Sequence, residues 1–480
     1  MAELDRPFDR RRAGVLLHVT SLPGRGASTH SNAGDLGDEA YRFIDFLAAA
    51  GCSVWQVLPL APTHPGDGSP YNVLSAMAGS TAMISREHQA AQHLHAPSAL
   101  EEQQQAAFSS WCAAQAGWLE PYVEFTALRE LHDHAPWLSW PAALRDRDPR
   151  SVADALAHHT DRMQSLRFEQ WVFSVQWARL REYAASKDVL LFGDLPIFVS
   201  LDSADVWAGR DLFQLDEDGR PITVSGCPPD YFAADGQRWN NPHYDWDEMA
   251  ADGFDWWRRR IARQRELFDL IRIDHFRAFE AAWHVPVDAA TARDGRWVPG
   301  PGAAILSVLV DTAGPGTLVA EDLGVITPEV EELRVRFDLP GMKVLQFAFD
   351  GDDDNPYLPH RHGEHSVVYT GTHDNDTTTG WWQLLDEDTR VRVSSWLSDS
   401  GEAMPWALIR LALESTSRLC VVPAQDLLEL GSQSRMNTPG TAQGNWAWQA
   451  PAGVFDDRLA ARMRELVAAT GRLVEELKKG

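Results

Sequence analysis

Cysteine is scarce. Cys52, Cys112, Cys227 and Cys420 are the only four in 480 residues, lie far apart and show no C-x-x-C spacing, so they read as reduced thiols rather than a disulfide framework. No apolar run reaches the length needed to cross a bilayer, and the charged stretch Met1 to Arg12 lacks the apolar centre of a signal peptide. The expectation is a cytoplasmic protein with no membrane partner. Positive charge is also short: 43 Lys and Arg stand against 69 Asp and Glu, a formal charge of −26. Such a surface repels nucleic-acid phosphates and anionic lipid, so a neutral small molecule or polymer is the easier partner.

Cofactor motifs are missing too. There is no G-x-x-x-x-G-K phosphate loop and no G-x-S-x-G elbow, and Gly24-Arg25-Gly26 lacks the third glycine of a dinucleotide fingerprint. The segment His360 to His365 has metal-like residue types but no H-E-x-x-H pattern, and Asp350 to Asn355 lacks the glycine and terminal glutamate of an EF-hand loop. No cofactor and no metal is implied.

What the chain does have is length for a large core, 20 tryptophans, and eight short apolar, β-rich runs alternating with amphipathic helical stretches. The runs are Val15 to Leu22, Val54 to Leu60, Val189 to Val199, Leu270 to His275, Leu318 to Leu323, Met342 to Phe349, Ser366 to Thr372 and Leu419 to Ala424. Eight strands buried on both faces between helices predict an α/β fold, a single (β/α)8 TIM barrel over residues 1–480. Leu36, Ala40, Phe43, Ile44 and Leu47 line one face of the first helix, which Gly51 ends; Thr327, Pro328 and Glu329 mark the start of another. The tryptophans serve either a large core or flat platforms for a ligand.

Two connections are too long for simple βα units. Residues 79–187 read as a mostly helical insertion between strands 2 and 3, with Pro97, Pro121, Pro136 and Pro149 as punctuation. Residues 200–251, rich in Gly, Pro, Asp and aromatics, read as a structured insertion covering a site between strands 3 and 4. A last helix is expected over Asp457 to Lys478.

Barrel active sites sit where the strands end, and three of these runs end in acids. In Leu270-Ile271-Arg272-Ile273-Asp274-His275 the period of two puts Arg272 and Asp274 on the axis if the isoleucines face the helices. Glu321-Asp322 ends the fifth run and His373-Asp374 follows the seventh. Retaining glycoside cleavage needs a carboxylate nucleophile and a carboxylic acid roughly 5–5.5 Å apart, and crowding keeps one of them protonated. Arg272 would hold Asp274 ionised. Each acid also has a structural reading: an Arg272–Asp274 ion pair, a turn capped by Glu321 or Asp322, a helix N-terminus at Asp374. Three acids at strand ends of one barrel favour a site.

The stretches Ser69-Pro70-Tyr71, Gly193-Asp194-Leu195-Pro196, Gly226 to Asn241, Arg272 to His275, Ala320 to Gly324, Gly371 to Asn375 and Arg435 to Gly440 resemble the amylomaltases. These are the disproportionating enzymes or 4-alpha-glucanotransferases, glycoside hydrolase family 77 of the α-amylase clan, and the resemblance spans nearly the whole chain. It implies Asp274 as nucleophile, Glu321 as acid then base, and Asp374 as transition-state stabiliser, with no cofactor. It implies that Tyr71, Asp194, Arg272, His275, His373 and Asn437 line donor subsites, and that Asp230, Gln237 and Trp239 touch substrate from a lid that disfavours water. The implied substrates are an α-1,4-glucan donor and a glucose or maltodextrin acceptor. A glucan hydrolase with the same acids, or a glucan-binding barrel without turnover, are the alternatives. One departure stands out: many relatives have Trp-Gly-Asn-Pro where this chain has Trp239-Asn240-Asn241-Pro242.

Overall fold

The computed structural model describes residues 7–24, 33–229, 234–397, 401–441 and 443–473. Twelve strands appear among them: β1 (Arg12–Leu16), β2 (Val54–Gln56), β3 (Leu190–Leu195), β4 (Thr223–Cys227), β5 (Gln237–Pro242), β6 (Leu270–Ile273), β7 (Ala281–Pro286), β8 (Arg296–Pro299), β9 (Leu318–Ala320), β10 (Gly341–Val344), β11 (Ser366–Tyr369) and β12 (Leu419–Pro423). Eight of them form one parallel sheet in the order β10-β11-β12-β1-β2-β3-β6-β9. Its two ends meet: the Ala320 N–H donates to the Pro340 carbonyl at 2.9 Å, and the Asp322 carboxylate accepts the Met342 N–H at 2.6 Å. A Cβ on Gly341 would lie 2.3 Å from Asp322 Oδ2, so a larger residue there would displace the carboxylate that bonds across this seam. The result is a (β/α)8 barrel.

Alternation along the strands sorts side chains into two layers. Leu16, Val54, Phe192, Leu270, Val319, Val344, Val367, Tyr369 and Val421 fill the barrel interior. Val15, Trp55, Leu191, Ile271, Ile273, Ala320, Val368 and Val422 face outward into the larger core shared with the helices. Most tryptophans went to that core, Trp55, Trp137, Trp177, Trp207, Trp257 and Trp406 being wholly buried. The first outer helix, Asp38–Ala49, ends as read: Gly51 is left-handed at φ +71°, and the Gly51 and Cys52 N–H groups return to the carbonyls of Ala48 and Leu47. The helix Pro328–Arg336 starts at Thr327 as expected, but the threonine side chain makes no capping bond.

Five details depart from the sequence reading. The strands begin within a residue of expectation, except β1, which begins three residues sooner, and they stop one to six residues early, because the apolar tails stay buried in turns over the barrel mouth; Val19–Ser21, for example, is a 3-10 turn. Pro121 lies inside the 30-residue helix Glu102–Leu131 and does not break it; one lost backbone bond is outweighed where Leu119, Tyr122, Val123 and Phe125 are all buried. The helix Thr160–Ser186 is both insertion and barrel helix, since Tyr183 near its end bonds Asp45 of the first outer helix at 2.7 Å. Strands β4 and β5, from the segment between β3 and β6, join β7 and β8 beyond β6 in an antiparallel sheet of order β5-β4-β7-β8. The last helix covers Asp457–Ala469, and the remainder of the stretch read as helix lies partly outside the described residues.

Candidate active site

Strand parity carries the site residues inward. Leu270 lies inside and Ile271 and Ile273 outside, so Arg272 faces the axis and Asp274, one residue past β6, continues that face. Phe192 does the same for Asp194 on β3, and Val319 for Glu321 just beyond β9. Asp374 arrives from the loop after β11, and the capping of the next helix falls to Thr377, whose hydroxyl accepts the Gly380 N–H.

Hydrogen bonds, the Asp274–His275 backbone and one 3.4 Å contact between His373 and Asp374 together link the three acids. Arg272 donates from one nitrogen to Asp194 Oδ2 at 2.6 Å and from the other to Asp274 Oδ1 at 2.9 Å. The Tyr71 hydroxyl donates to Asp194 Oδ2 at 2.6 Å and lies 2.9 Å from His373 Nε2. Tyr71 has one proton and gives it to the carboxylate, so His373 must carry its proton on Nε2 and donate to the hydroxyl oxygen. That same nitrogen is 3.4 Å from Asp374 Oδ2. Asn437 Nδ2 donates to Asp374 Oδ1 at 2.6 Å, and Arg435 to the Asp374 carbonyl at 2.5 Å. At the other end, the His275 N–H donates to Glu321 Oε2 at 2.5 Å and the Leu323 N–H to Oε1 at 3.2 Å.

Exposure separates floor from working surface. The side chains of Asp194 and Arg272 are 0% and 5% exposed, whereas those of Asp274 and Asp374 are 28% and 44% exposed and open into the cleft. Burial raises the pKa of Asp274 above the usual carboxylate range; Arg272 opposes this, and the charges of Asp194 and Asp374 add to it. Burial raises Glu321 as well, against Arg272 and with the neighbouring Asp274. Arg272 therefore does not hold Asp274 fully ionised by itself, because it is shared with Asp194. The pair of acids holds a proton readily, and the ionised form is better placed on Asp274, the member hydrogen-bonded to the guanidinium. Burial would lower Arg272, but Asp194 and then Asp274 raise it well above its ordinary value. Burial pushes His275 down to about 3 and lowers His373 also, so both imidazoles are neutral near pH ~7.

Of the residues singled out from sequence, Tyr71, Asp194, Arg272, Asp274, His275, Glu321, His373, Asp374 and Asn437 come together in this network. Trp239 on β5 reaches it through His275, the two rings meeting edge-on at 4.8 Å, and its Nε1 donates to Gln237 at 3.2 Å. Asp230 lies outside the described residues. Asp322, beside Glu321, seals the barrel seam and pairs with Arg334 at 3.1 Å. The histidines of His360 to His365 point apart: His360 stacks on Trp396, His362 bonds Ser415, and His365 bonds the Asp338 carbonyl. Sequence reasoning missed Trp446, whose ring lies 5.7 Å from Tyr71 and 5.9 Å from His373, and the clamp formed by Arg435. Arg435 stood in a stretch already singled out; Trp446 had only the tryptophan surplus to mark it.

A (β/α)8 barrel with crowded carboxylates, a buried Arg–Asp pair and aromatic rings at its mouth belongs to the carbohydrate-active barrel enzymes. The family model described as 4-alpha-glucanotransferase matches residues 17–104 and 88–454, and the chain belongs to that family. It is 44% identical to the 4-alpha-glucanotransferase of Thermus thermophilus over 98% of this chain and all of that one. It is 41% identical to the chloroplastic/amyloplastic 4-alpha-glucanotransferase of Solanum tuberosum, over 97% of this chain and 87% of the other. Among solved structures it resembles the amylomaltase of Streptococcus agalactiae in complex with acarbose, with a TM-score of 0.91 and 31% identity over 97% of this chain and 100% of that one.

Proposed function

We propose that this chain transfers a segment of an α-1,4-glucan to the 4-hydroxyl of glucose or another maltodextrin, with retention, through a glycosyl group held covalently on Asp274. The observation that carries the reading is the continuous path from Glu321 through the His275 turn, Asp274, Arg272, Asp194, Tyr71 and His373 to Asp374. It holds an acid, a nucleophile and a third carboxylate in one cleft, which is what double displacement at an anomeric carbon requires.

In the first step an Asp274 oxygen bonds to the anomeric carbon, the glycosidic bond breaks, and the Glu321 proton passes to the departing 4-oxygen. In the second, the acceptor 4-hydroxyl gives its proton to Glu321 and attacks the same carbon, releasing Asp274. Asp374, oriented by Asn437 and Arg435, accepts hydrogen bonds from sugar hydroxyls that strengthen as positive charge develops on the ring. The rings of Tyr71 and Trp446 offer apolar faces to the sugar. Because no water is consumed, the number of reducing ends stays constant.

The test is incubation of purified protein with maltotriose. Glucose and a ladder of longer maltodextrins at constant reducing-end concentration are expected, and Asp274→Asn should lose at least about a thousandfold in turnover. A steady rise in reducing ends would instead identify a hydrolase, and unchanged maltotriose would reject both.

A further inference from the structure

Strand β5 does not run straight beside its partner. Val224 pairs with Pro242 and Gly226 with Arg238, so Trp239, Asn240 and Asn241 together oppose the single residue Ser225. A bulge of this kind re-aims a side chain, and here it turns Trp239 toward the barrel mouth. Its ring meets His275 edge-on, centroids 4.8 Å apart at 85°, and packs 6.4 Å from Phe198.

His275 is left-handed at φ +51°, a conformation that residues with a Cβ adopt at a cost. That turn delivers its N–H to Glu321 Oε2 at 2.5 Å. Its Nε2 is buried without a hydrogen-bond partner among the described residues, so ring packing holds the side chain. Accordingly, we propose that Trp239 is a positioning residue for Glu321: from the antiparallel sheet it braces the left-handed turn at His275, and that turn's N–H fixes the orientation of the Glu321 carboxyl.

The inference rests on the reading of Glu321 as the acid. It makes the second sheet an adjuster of the acid as well as a cover for the cleft. The charged and titratable groups facing Glu321 are Arg272, Asp274 and His275 from β6 and its turn, Asp322 from its own strand end, and Tyr357 from the segment after β10. None lies on β5, so replacing Trp239 removes no charge. The N–H bond from His275 favours the ionised carboxyl. Losing it raises the pKa of Glu321, and the basic limb of kcat, which reports deprotonation of the acid, moves to higher pH. Admission of water where the ring stood would move the limb the opposite way, so the sign discriminates.

The experiment is the pH profile of kcat for maltotriose disproportionation by the wild type and by Trp239→Ala, Trp239→Phe, His275→Val and Glu321→Gln. Trp239→Ala should move the basic limb upward by on the order of one pH unit, while Trp239→Phe, which keeps an aromatic edge, leaves it near the wild-type position. His275→Val, whose β-branched side chain resists the left-handed turn, should move it in the same direction and serves as an independent test. An unmoved or downward limb in both Trp239→Ala and His275→Val, with a changed KM alone, would overturn the proposal and leave Trp239 as a substrate contact. An active Glu321→Gln would instead overturn the assignment of the acid.

Discussion

Asp274 and Arg272 lie two residues apart on one strand, so a single alternation sends both to the axis, and that much is legible from five letters of sequence. What cannot be read there is the sharing of Arg272 with Asp194, 78 residues earlier, or the meeting of Tyr71 and His373 across 302 residues. These contacts exist only once the barrel closes. They decide the electrostatics, because an arginine divided between two carboxylates does not offset the burial of a third acid. Glu321 is thus left with its folded pKa above the unfolded value. The proton is held more tightly in the folded state, so this contribution to stability is present below the ordinary glutamate range of about 4.3 and is lost as pH rises through the folded value. Glu321→Gln cannot ionise and escapes that loss. Its melting temperature relative to the wild type should therefore rise by about 1–2 °C between pH about 5 and about 9, measured by calorimetry. A difference that stays flat with pH would show that Glu321 titrates as an ordinary surface glutamate.

At the level of the element, the barrel strands announced themselves as apolar runs, whereas the antiparallel sheet did not. Its β5 strand reads Gln237-Arg238-Trp239-Asn240-Asn241-Pro242, with no alternation of apolar and polar residues to detect, and its four strands come from two separate connections. Its backbone logic is visible in two residues. Gly226 must lack a side chain, since a Cβ there would lie 2.2 Å from the Gln237 carbonyl. Asn240 stands where many relatives have glycine, and it is left-handed at φ +65°, its side chain accepting from Arg238 Nε at 2.9 Å. Asparagine is among the few residues with a Cβ that enter this region readily, so Asn240 is suited to the left-handed turn that this chain makes here. Asn240→Gly should be tolerated within about 0.5 kcal/mol, whereas Asn240→Val should cost about 1–2 kcal/mol and weaken acceptor binding as the bulge and Trp239 shift. Urea unfolding together with the acceptor KM in the transfer assay measures both effects, and equal behaviour of the two variants would exclude a conformational role for Asn240.

Across the whole molecule, the candidate site is gathered at the C-terminal ends of the strands, while at their N-terminal ends a residue with no signature in the sequence ties two neighbouring strands together. Arg472 follows the last helix, past a left-handed Gly471 at φ +67°, and is wholly buried. Its Nε donates to the Leu413 carbonyl at 2.7 Å. Its two terminal nitrogens donate to Arg12 and Arg418 at 3.0 and 3.2 Å, and to Ser415 and Ser417 at 2.8 and 2.9 Å. Arg12 opens β1 and Arg418 immediately precedes β12, so one side chain joins adjacent barrel strands at their N-terminal ends. The five N–H groups of a guanidinium form a planar fork that five carbonyls can surround, and a lysine ammonium, with three donors on one atom, cannot reach them all. Arg472→Lys should therefore lower stability by about 2–3 kcal/mol and Arg472→Ala by about 3–5 kcal/mol, since each leaves buried carbonyls unpaired. Transfer by the folded enzyme at 25 °C should stay within about twofold of wild type, because the site lies at the opposite mouth of the barrel. Denaturant unfolding read alongside maltotriose turnover separates the two quantities. Unchanged stability in Arg472→Ala would show that the barrel base holds without this clamp, and a loss of turnover in the folded protein would show that base and mouth are coupled.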